Sequence, residues 1–160
     1  MHSFELTTLI NCPRDQVYDH LSNPLNLIGL QPLLTELIVH DAQSDEQGIV
    51  QRSFESVETF RLAGLPVFHN RIHSILRLTH PKEVLEFKVF SKPGIEILFT
   101  FTFQSLTPHK TQISETVQFV RLNKFLERFV ISQARHAQEA LLTNLKVRLE
   151  NRRSLLVTPD

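Results

Sequence analysis

The segment that most constrains the fold lies near the C-terminus, where Lys124–Arg152 contains neither proline nor glycine. Its apolar residues recur at the spacing of an α-helix, which predicts one long helix with a single buried face. That face carries, in order, Leu126, Val130, Gln133, Ala137, Leu141 and Asn144. A helix that seals a dense core would present Leu or Ile at the centre of this face, whereas this one presents small and polar residues. We therefore expect the helix to cover a space rather than a filled core.

The chain before this helix has the alternating pattern of strands. Ser3–Asn11 is predicted to be the first strand, and two short helices, Arg14–Ser22 and Leu25–Leu30, follow between proline breaks. Six further strands are predicted between short turns, at 34–41, 49–60, 67–78, 84–90, 95–104 and 111–120. Short turns join consecutive strands antiparallel, so the sequence predicts an α+β fold with an antiparallel meander.

Length and composition exclude several classes of protein. A chain of 160 residues fits one domain, which we assign to 1–152, with a flexible tail at 153–160. The formal net charge is zero without any basic block, so no nucleic-acid partner is expected. The sequence offers no apolar run of roughly 20 residues and no signal peptide, which predicts no stable membrane insertion and a cytoplasmic location. The single cysteine, Cys12, excludes an internal disulfide and fits that location.

The sequence contains no motif for a metal or a cofactor. No His or Cys spacing repeats a set of metal ligands, and neither a glycine-rich phosphate loop nor a Gly-x-Ser-x-Gly elbow occurs. We therefore predict no metal and no cofactor. His69, His73 and His136 are expected at the surface, and Cys12 is expected to be a buried or helix-start residue.

Two stretches carry a resemblance to known proteins. The opening FELTTLINCPRDQVYDHLSNPLNLIGLQP combines a strand, a proline that starts a helix, Val-Tyr within that helix and an Asn-Pro break. The segment TQISETVQF, residues 111–119, is similar to the penultimate element of the same proteins, although the Pro-Gly pair that often follows is absent at 121–124. On these motifs, Phe4–Glu150 resembles the START-like (SRPBCC) superfamily, which includes polyketide cyclase/dehydrase-like and birch-pollen-allergen-type domains.

The resemblance implies the helix-grip fold, a curved antiparallel sheet wrapped around a long C-terminal helix with a hydrophobic cavity between them. Members of the superfamily bind lipids, sterols, quinones or aromatic polyketides, and some catalyse cyclisation or dehydration. The motifs mark the fold more than any chemistry. The hydrophobic small molecule that the resemblance implies agrees with the small and polar centre of the predicted helix face.

Glu115 is the residue that points most directly to chemistry. It shares a strand face with Ile113 and Val117, which is predicted to face the helix. A carboxylate among apolar neighbours is costly unless it is paired or protonated, and burial raises its pKa. Glu115 is therefore a candidate anchor for a ligand hydroxyl or a general acid/base. The structural alternatives are an ion pair with an arginine such as Arg52 or Arg148, or a bulge that turns the side chain outward.

The other candidate site residues form an apolar wall with few polar groups, as small-molecule pockets do. Gln133 and Asn144 would bond either a ligand or neighbouring backbone, whereas Asn70 and Ser74 would line the cavity or meet a solvent-filled mouth. The complete predicted ligand-binding set is Asn70, Ile72, Ser74, Phe87, Phe99, Phe101, Phe103, Glu115, Val117, Gln133 and Ala137.

An unusually apolar loop is predicted beside the cavity, with Leu62, Leu65, Pro66 and Val67. It would serve as a lid or portal, or it would pack on the small helices or a second subunit, which makes a homodimer one expected assembly. We predict that the domain binds a hydrophobic or amphipathic small molecule such as a lipid, quinone or polyketide-like compound. The alternatives are a cyclase or dehydratase with Glu115 as general acid/base, and a protein-interaction module whose cavity is closed.

Overall fold

One sheet and one long helix make up most of the fold. The structure, a computed structural model, describes residues 2–62 and 65–156, with the side chains of 2–59 and 69–152. The elements in chain order are β1 (His2–Ile10), α1 (Arg14–Leu21), a 3-10 turn (Pro24–Leu27), β2 (Leu34–Ser44), β3 (Val50–Leu62), β4 (Leu65–His80), β5 (Val84–Ser91), β6 (Ile95–Thr107), β7 (Lys110–Arg121) and α2 (Glu127–Leu156).

The seven strands form one antiparallel sheet in the order β1-β7-β6-β5-β4-β3-β2. From β2 to β7 each strand pairs with the next along the chain, and β1 pairs with β7. The sheet is open and curved, with the long helix against it, so the predicted meander and helix-grip fold are confirmed.

The hairpin between β3 and β4 differs from the prediction. Leu62 pairs with Leu65, so most of the segment that was expected to be a loop has strand backbone. The expected lid or portal residues Leu62, Leu65, Pro66 and Val67 lie where no side chain is described, and that role stays a prediction.

Helix α2 begins at Glu127 rather than Lys124 and continues to Leu156 rather than ending at Arg152. Its start is delayed because Asn123 forms a turn, in which its Oδ1 accepts the N–H of Phe125 and its carbonyl accepts the N–H of Leu126, both at 3.0 Å. The helix runs past the predicted end because no proline follows before Pro159.

The buried face of α2 is rotated from the predicted one. Leu126 and Gln133 are exposed but line the cavity described below, so they do not pack on the sheet, and Asn144 is half-buried. The residues that α2 buries are Gln138, Leu141, Leu142, Leu145 and Leu149. These leucines define a face that is displaced from the predicted one by one residue, about 100° around the helix. Their burial contributes more free energy than the sparser apolar residues in the first half of α2.

Polar side chains of the second half of α2 also bond backbone atoms at the end of β1, in the 3-10 turn and in the loop that follows this turn. The loop approaches closely, since Gly29 has φ +80° and a Cβ there would lie 2.8 Å from Arg148 Nη2. The bonds join Asn144 to Leu30, Lys146 to Leu9, Arg148 to Asn26 and Ile28, and Glu150 to Asn11, at 2.6–2.9 Å between donor and acceptor atoms. The helix is thus held at one end and leaves room under the other.

Candidate functional site

A cavity of about 320 Å³ lies between the sheet and the first half of α2. Strands β3 to β6 form one wall, α2 forms the other, and the segment after the 3-10 turn closes one side. Of the residues predicted to bind a ligand, those on this wall are Asn70, Ile72, Ser74, Phe87, Phe99, Phe101, Gln133 and Ala137. Phe103, Glu115 and Val117 lie off the wall, in the packed part of the interior.

The sheet side of the cavity is polar at one end and aromatic at the other. On β3 and β4, Glu58 pairs with Asn70 at the polar end. Towards the other end, Phe87 of β5 pairs with Phe99 of β6. Paired residues of neighbouring strands point to the same face, so this register sets the gradient along the wall.

The aromatic end is built from rings that pack edge to face. The Phe87 and Phe101 centroids are 5.7 Å apart at an interplanar angle of 79°, and those of Phe54 and Phe87 are 6.3 Å apart at 85°. Such contacts let the rings support one another as a wall while the space in front of them stays open.

The polar end contains hydrogen-bonding groups that are partly satisfied by one another. Asn70 donates from Nδ2 to Ser91 Oγ over 3.1 Å. Ser56 and Ser74 are buried on the same wall. Burial raises the pKa of the Glu58 carboxyl group. This end could accept a polar group of a ligand that the aromatic end would reject.

Gln138 is the buried polar residue of α2 that faces the cavity. Its side chain is only 4% exposed, and its Oε1 has no hydrogen-bond partner among the described residues. The prediction named Gln133 instead, because the helix face was placed one residue away. Gln133 is exposed but still borders the cavity. An unpaired buried carbonyl is costly, so Gln138 holds an acceptor that the described residues do not use.

A side chamber of about 170 Å³ adjoins the cavity and shares part of its wall. Glu58, Gln133 and His136 lie on it. His136 is exposed, as predicted, and its Nδ1 donates to the carbonyl of Ser132 over 2.7 Å. The chamber extends the polar end of the cavity towards solvent.

Glu115 is fully buried, as its strand pattern predicts, but it does not border the cavity. It pairs with Leu6 on β1 and Phe101 on β6, and neither carboxyl oxygen has a hydrogen-bond partner among the described residues. Burial raises its pKa to about 8, so the group is mainly protonated at neutral pH. The ion pair with Arg148 is absent because that guanidinium bonds the loop carbonyls instead.

The remaining predicted residues have structural surroundings. Asn144 donates to the Leu30 carbonyl at 2.8 Å, which is the backbone alternative of the prediction. His69 and His73 are exposed, as expected. Cys12 is buried, and its Sγ bonds Gln16 Oε1 over 3.3 Å.

Neither a metal cluster nor a membrane-spanning helix is found in the part of the chain that the structure describes. Within 2–62 and 65–156, no group of three or more His, Cys, Asp or Glu side chains is placed to hold a metal ion. No helix in these ranges is long and apolar enough to cross a membrane. The cytoplasmic location stays a prediction.

Comparison with known proteins finds matches through structure. No protein-family model and no curated protein match the sequence. The Zhui aromatase/cyclase from Streptomyces sp. R1128 matches with a TM-score of 0.74 and 16% identity over 94% of each chain. A START superfamily protein from Mycobacterium smegmatis matches with a TM-score of 0.73 and 11% identity, over 94% of this chain and 99% of the other.

A third similar structure contains two domains. The di-domain ARO/CYC BexL from the BE-7585A biosynthetic pathway matches with a TM-score of 0.61 and 16% identity, over 91% of this chain and 46% of BexL. At these low sequence identities, the matches are evidence for the fold alone. The chain has the START/polyketide-cyclase-like helix-grip fold that its motifs predict.

Proposed function

We propose that this chain, which has the START-like helix-grip fold, binds a hydrophobic or amphipathic small molecule under the first half of α2. The observation that carries the proposal is the cavity of about 320 Å³, which is within the size range of small-molecule sites. Protein interiors are normally close-packed, so a space of this size between a helix and a sheet supports a binding role. A guest would bury the apolar side chains that line it.

The gradient along the wall supports an amphipathic guest. Its apolar part would lie against Phe87 and Phe99, and its polar end would point to Glu58 and Asn70. The Oε1 of Gln138, which has no partner among the described residues, would accept a hydrogen bond from a hydroxyl or N–H of the guest once this side chain turns towards the cavity. A lipid, a quinol or a hydroxylated polyketide-like compound has this combination of groups.

The two other hypotheses have less support. The hypothesis of a cyclase or dehydratase depends on Glu115 as general acid/base. Its carboxyl group, however, is fully buried away from the cavity wall. A protein-interaction module required a closed interior, whereas a space of about 320 Å³ is present. Binding needs neither assumption, and it is therefore the function that we put forward.

The experiment is native mass spectrometry of the purified chain, followed by titration with the fluorescent probe 1-anilinonaphthalene-8-sulfonate. We expect a small hydrophobic molecule to co-purify, or the emptied cavity to bind the probe at one site. Ala137→Phe places a ring in the cavity and should abolish both signals. Ser132→Phe adds the same ring at an exposed position of α2 and should leave them intact. A wild-type chain that carries no guest and binds no probe would refute the proposal.

A further inference from the structure

We propose that the mouth of the cavity docks on anionic membrane surfaces through a rim patch, which consists of Phe125, Leu126 and Phe129. Leu126 and Phe129 line the cavity, so the patch continues its apolar wall to the outside. Phe125 directly precedes them in the turn before α2. This inference goes beyond the binding of a guest, because it concerns where the domain would take up or release one.

The exposure of the rim patch is the first observation that carries the inference. Phe125 is 98% exposed and Phe129 is 57% exposed. A phenylalanine ring has no polar group that gains from contact with water, and its burial is among the larger contributions to folding. Neighbouring exposed aromatic rings at the opening of an apolar cavity therefore mark a contact surface rather than scattered apolar residues.

The charges around the patch identify the partner. Lys124 and Arg128 alternate with the patch residues and are exposed, and exposed Lys92 lies on the cavity wall in the β5–β6 hairpin. The one acid of this segment, Glu127, is engaged by His2, with 2.9 Å between Oε1 and Nε2. Apolar side chains flanked by cations suit an interface where acyl chains lie beneath anionic headgroups.

The size of the patch argues against a second copy of the chain as its partner. Phe125, Leu126 and Phe129 together expose on the order of 400 Å², whereas each subunit of a stable dimer buries about 800 Å². A membrane needs less, because apolar insertion and headgroup attraction add up as two weak signals. The expected binding is reversible and depends on salt.

The test is co-sedimentation with vesicles of equimolar phosphatidylcholine and phosphatidylglycerol, and with vesicles of phosphatidylcholine alone. The wild-type chain should sediment with the anionic vesicles and much less with the neutral ones. The double variant Phe125→Ser/Phe129→Ser should weaken binding to the anionic vesicles at least tenfold. Lys124→Glu/Arg128→Glu should weaken it to a similar extent and remove its salt dependence.

Control variants separate this surface from general exposure. Val147→Ser on α2 and Ile38→Ser on β2 remove exposed apolar side chains away from the mouth and should leave vesicle binding unchanged. The inference is overturned if the double phenylalanine variant sediments like the wild type, or if the wild type does not bind anionic vesicles. It is equally overturned if light scattering finds a dimer that this variant dissociates.

The probe titration keeps this test independent of the proposed function. Phe125→Ser alone, at the ring that does not line the cavity, should still bind 1-anilinonaphthalene-8-sulfonate in the cavity, although it binds vesicles more weakly. Loss of vesicle binding with probe binding retained supports a docking role for the rim patch. Loss of both in this variant, with circular dichroism unchanged, would overturn the docking role, because Phe125 would then belong to the binding site of the guest.

Discussion

The two halves of α2 differ in what they contact. The second half, from Leu141 onward, buries Leu142, Leu145 and Leu149 and bonds backbone atoms of β1 and the loop before β2. The first half borders a cavity and ends in an exposed aromatic patch. Contacts at one end of a covering helix can therefore fix its position, so that its other end need not pack on the sheet.

This division explains how an open interior is tolerated. Dense packing and the polar bonds of the second half stabilise the position of the helix without help from the first. The first half is then free to carry residues chosen for a guest or a surface. Substitutions in the two halves should accordingly have different effects on the free energy of unfolding.

The largest contrast should come from the same substitution made in the second half and in the turn that leads into the first half. Leu145 is fully buried and Leu126 is exposed. Leu145→Ala should lower the free energy of unfolding by about 3–4 kcal/mol, because a cavity forms in dense packing. Leu126→Ala should change it by less than about 1 kcal/mol. Urea unfolding measures both, and similar losses would mean that the two halves are equally packed.

The second contrast concerns pH and the closed part of the interior, where Glu115 lies. Its pKa is raised from 4.5 to about 8 in the folded chain. Between these values the folded state holds a proton that the unfolded state has lost, so stability falls as pH rises and levels off above about 8. From pH 6 to pH 8 we expect the contribution of Glu115 alone to fall by about 2–3 kcal/mol, at about 1.4 kcal/mol per pH unit before the curve flattens.

The Glu115→Met variant isolates this contribution. Methionine has a similar shape and does not titrate, so the variant should lack this loss and should exceed the wild type in stability at pH 8. Glu36→Gln, at an exposed carboxylate, should retain the wild-type pH dependence. The assignment fails if the Met variant and the wild type lose equal stability between pH 6 and pH 8 in urea unfolding.

The third contrast tests the fastening of the second half. Arg148 donates to the carbonyls of Asn26 and Ile28, at 2.6 and 2.8 Å. Arg148→Met should cost about 1–2 kcal/mol, since two charge-assisted hydrogen bonds are lost while the side chain still packs. Arg128→Met, at an exposed position in the first half, should cost less than about 0.5 kcal/mol.

A spectroscopic signal accompanies the Arg148 change. Burial chiefly, and then the charge of Arg148, lower the pKa of His20 to about 4. Arg148→Met removes the second cause, so the His20 pKa should rise while staying below its ordinary value of 6.5. An NMR titration of the imidazole follows it. A His20 pKa that is unchanged in this variant would contradict the contact between the two side chains.

The same contrast explains what the sequence could predict. The strands and the burial of Glu115 follow from alternation, which is strong in strands with one buried face, and the antiparallel neighbours follow from the short turns. The rotation of α2 was missed because one continuous buried face was assigned to the whole helix. Its first half borders the cavity, whereas its second half packs leucines into the core. Gln138 could have been found by taking Leu141, Leu142, Leu145 and Leu149 as the dominant face and extending it backward. The cavity depends on how far the helix stands from the sheet, which periodicity does not encode.

The smallest effect on stability should come from Gln138, and its sign is informative. The buried oxygen of the Gln138 amide has no partner among the described residues, and an apolar group of similar shape removes its desolvation cost, so Gln138→Met should stabilise the ligand-free chain by up to about 1 kcal/mol. Gln133→Met, at an exposed position of the same half that borders the cavity, should change stability by less than about 0.5 kcal/mol. Urea unfolding of ligand-free protein compares the two. A clear loss of stability in Gln138→Met would mean that the amide already bonds within the fold. A gain of stability, together with weaker retention of the co-purifying molecule, would mean that Gln138 lowers the stability of the ligand-free chain and binds a hydrogen-bond donor of the guest.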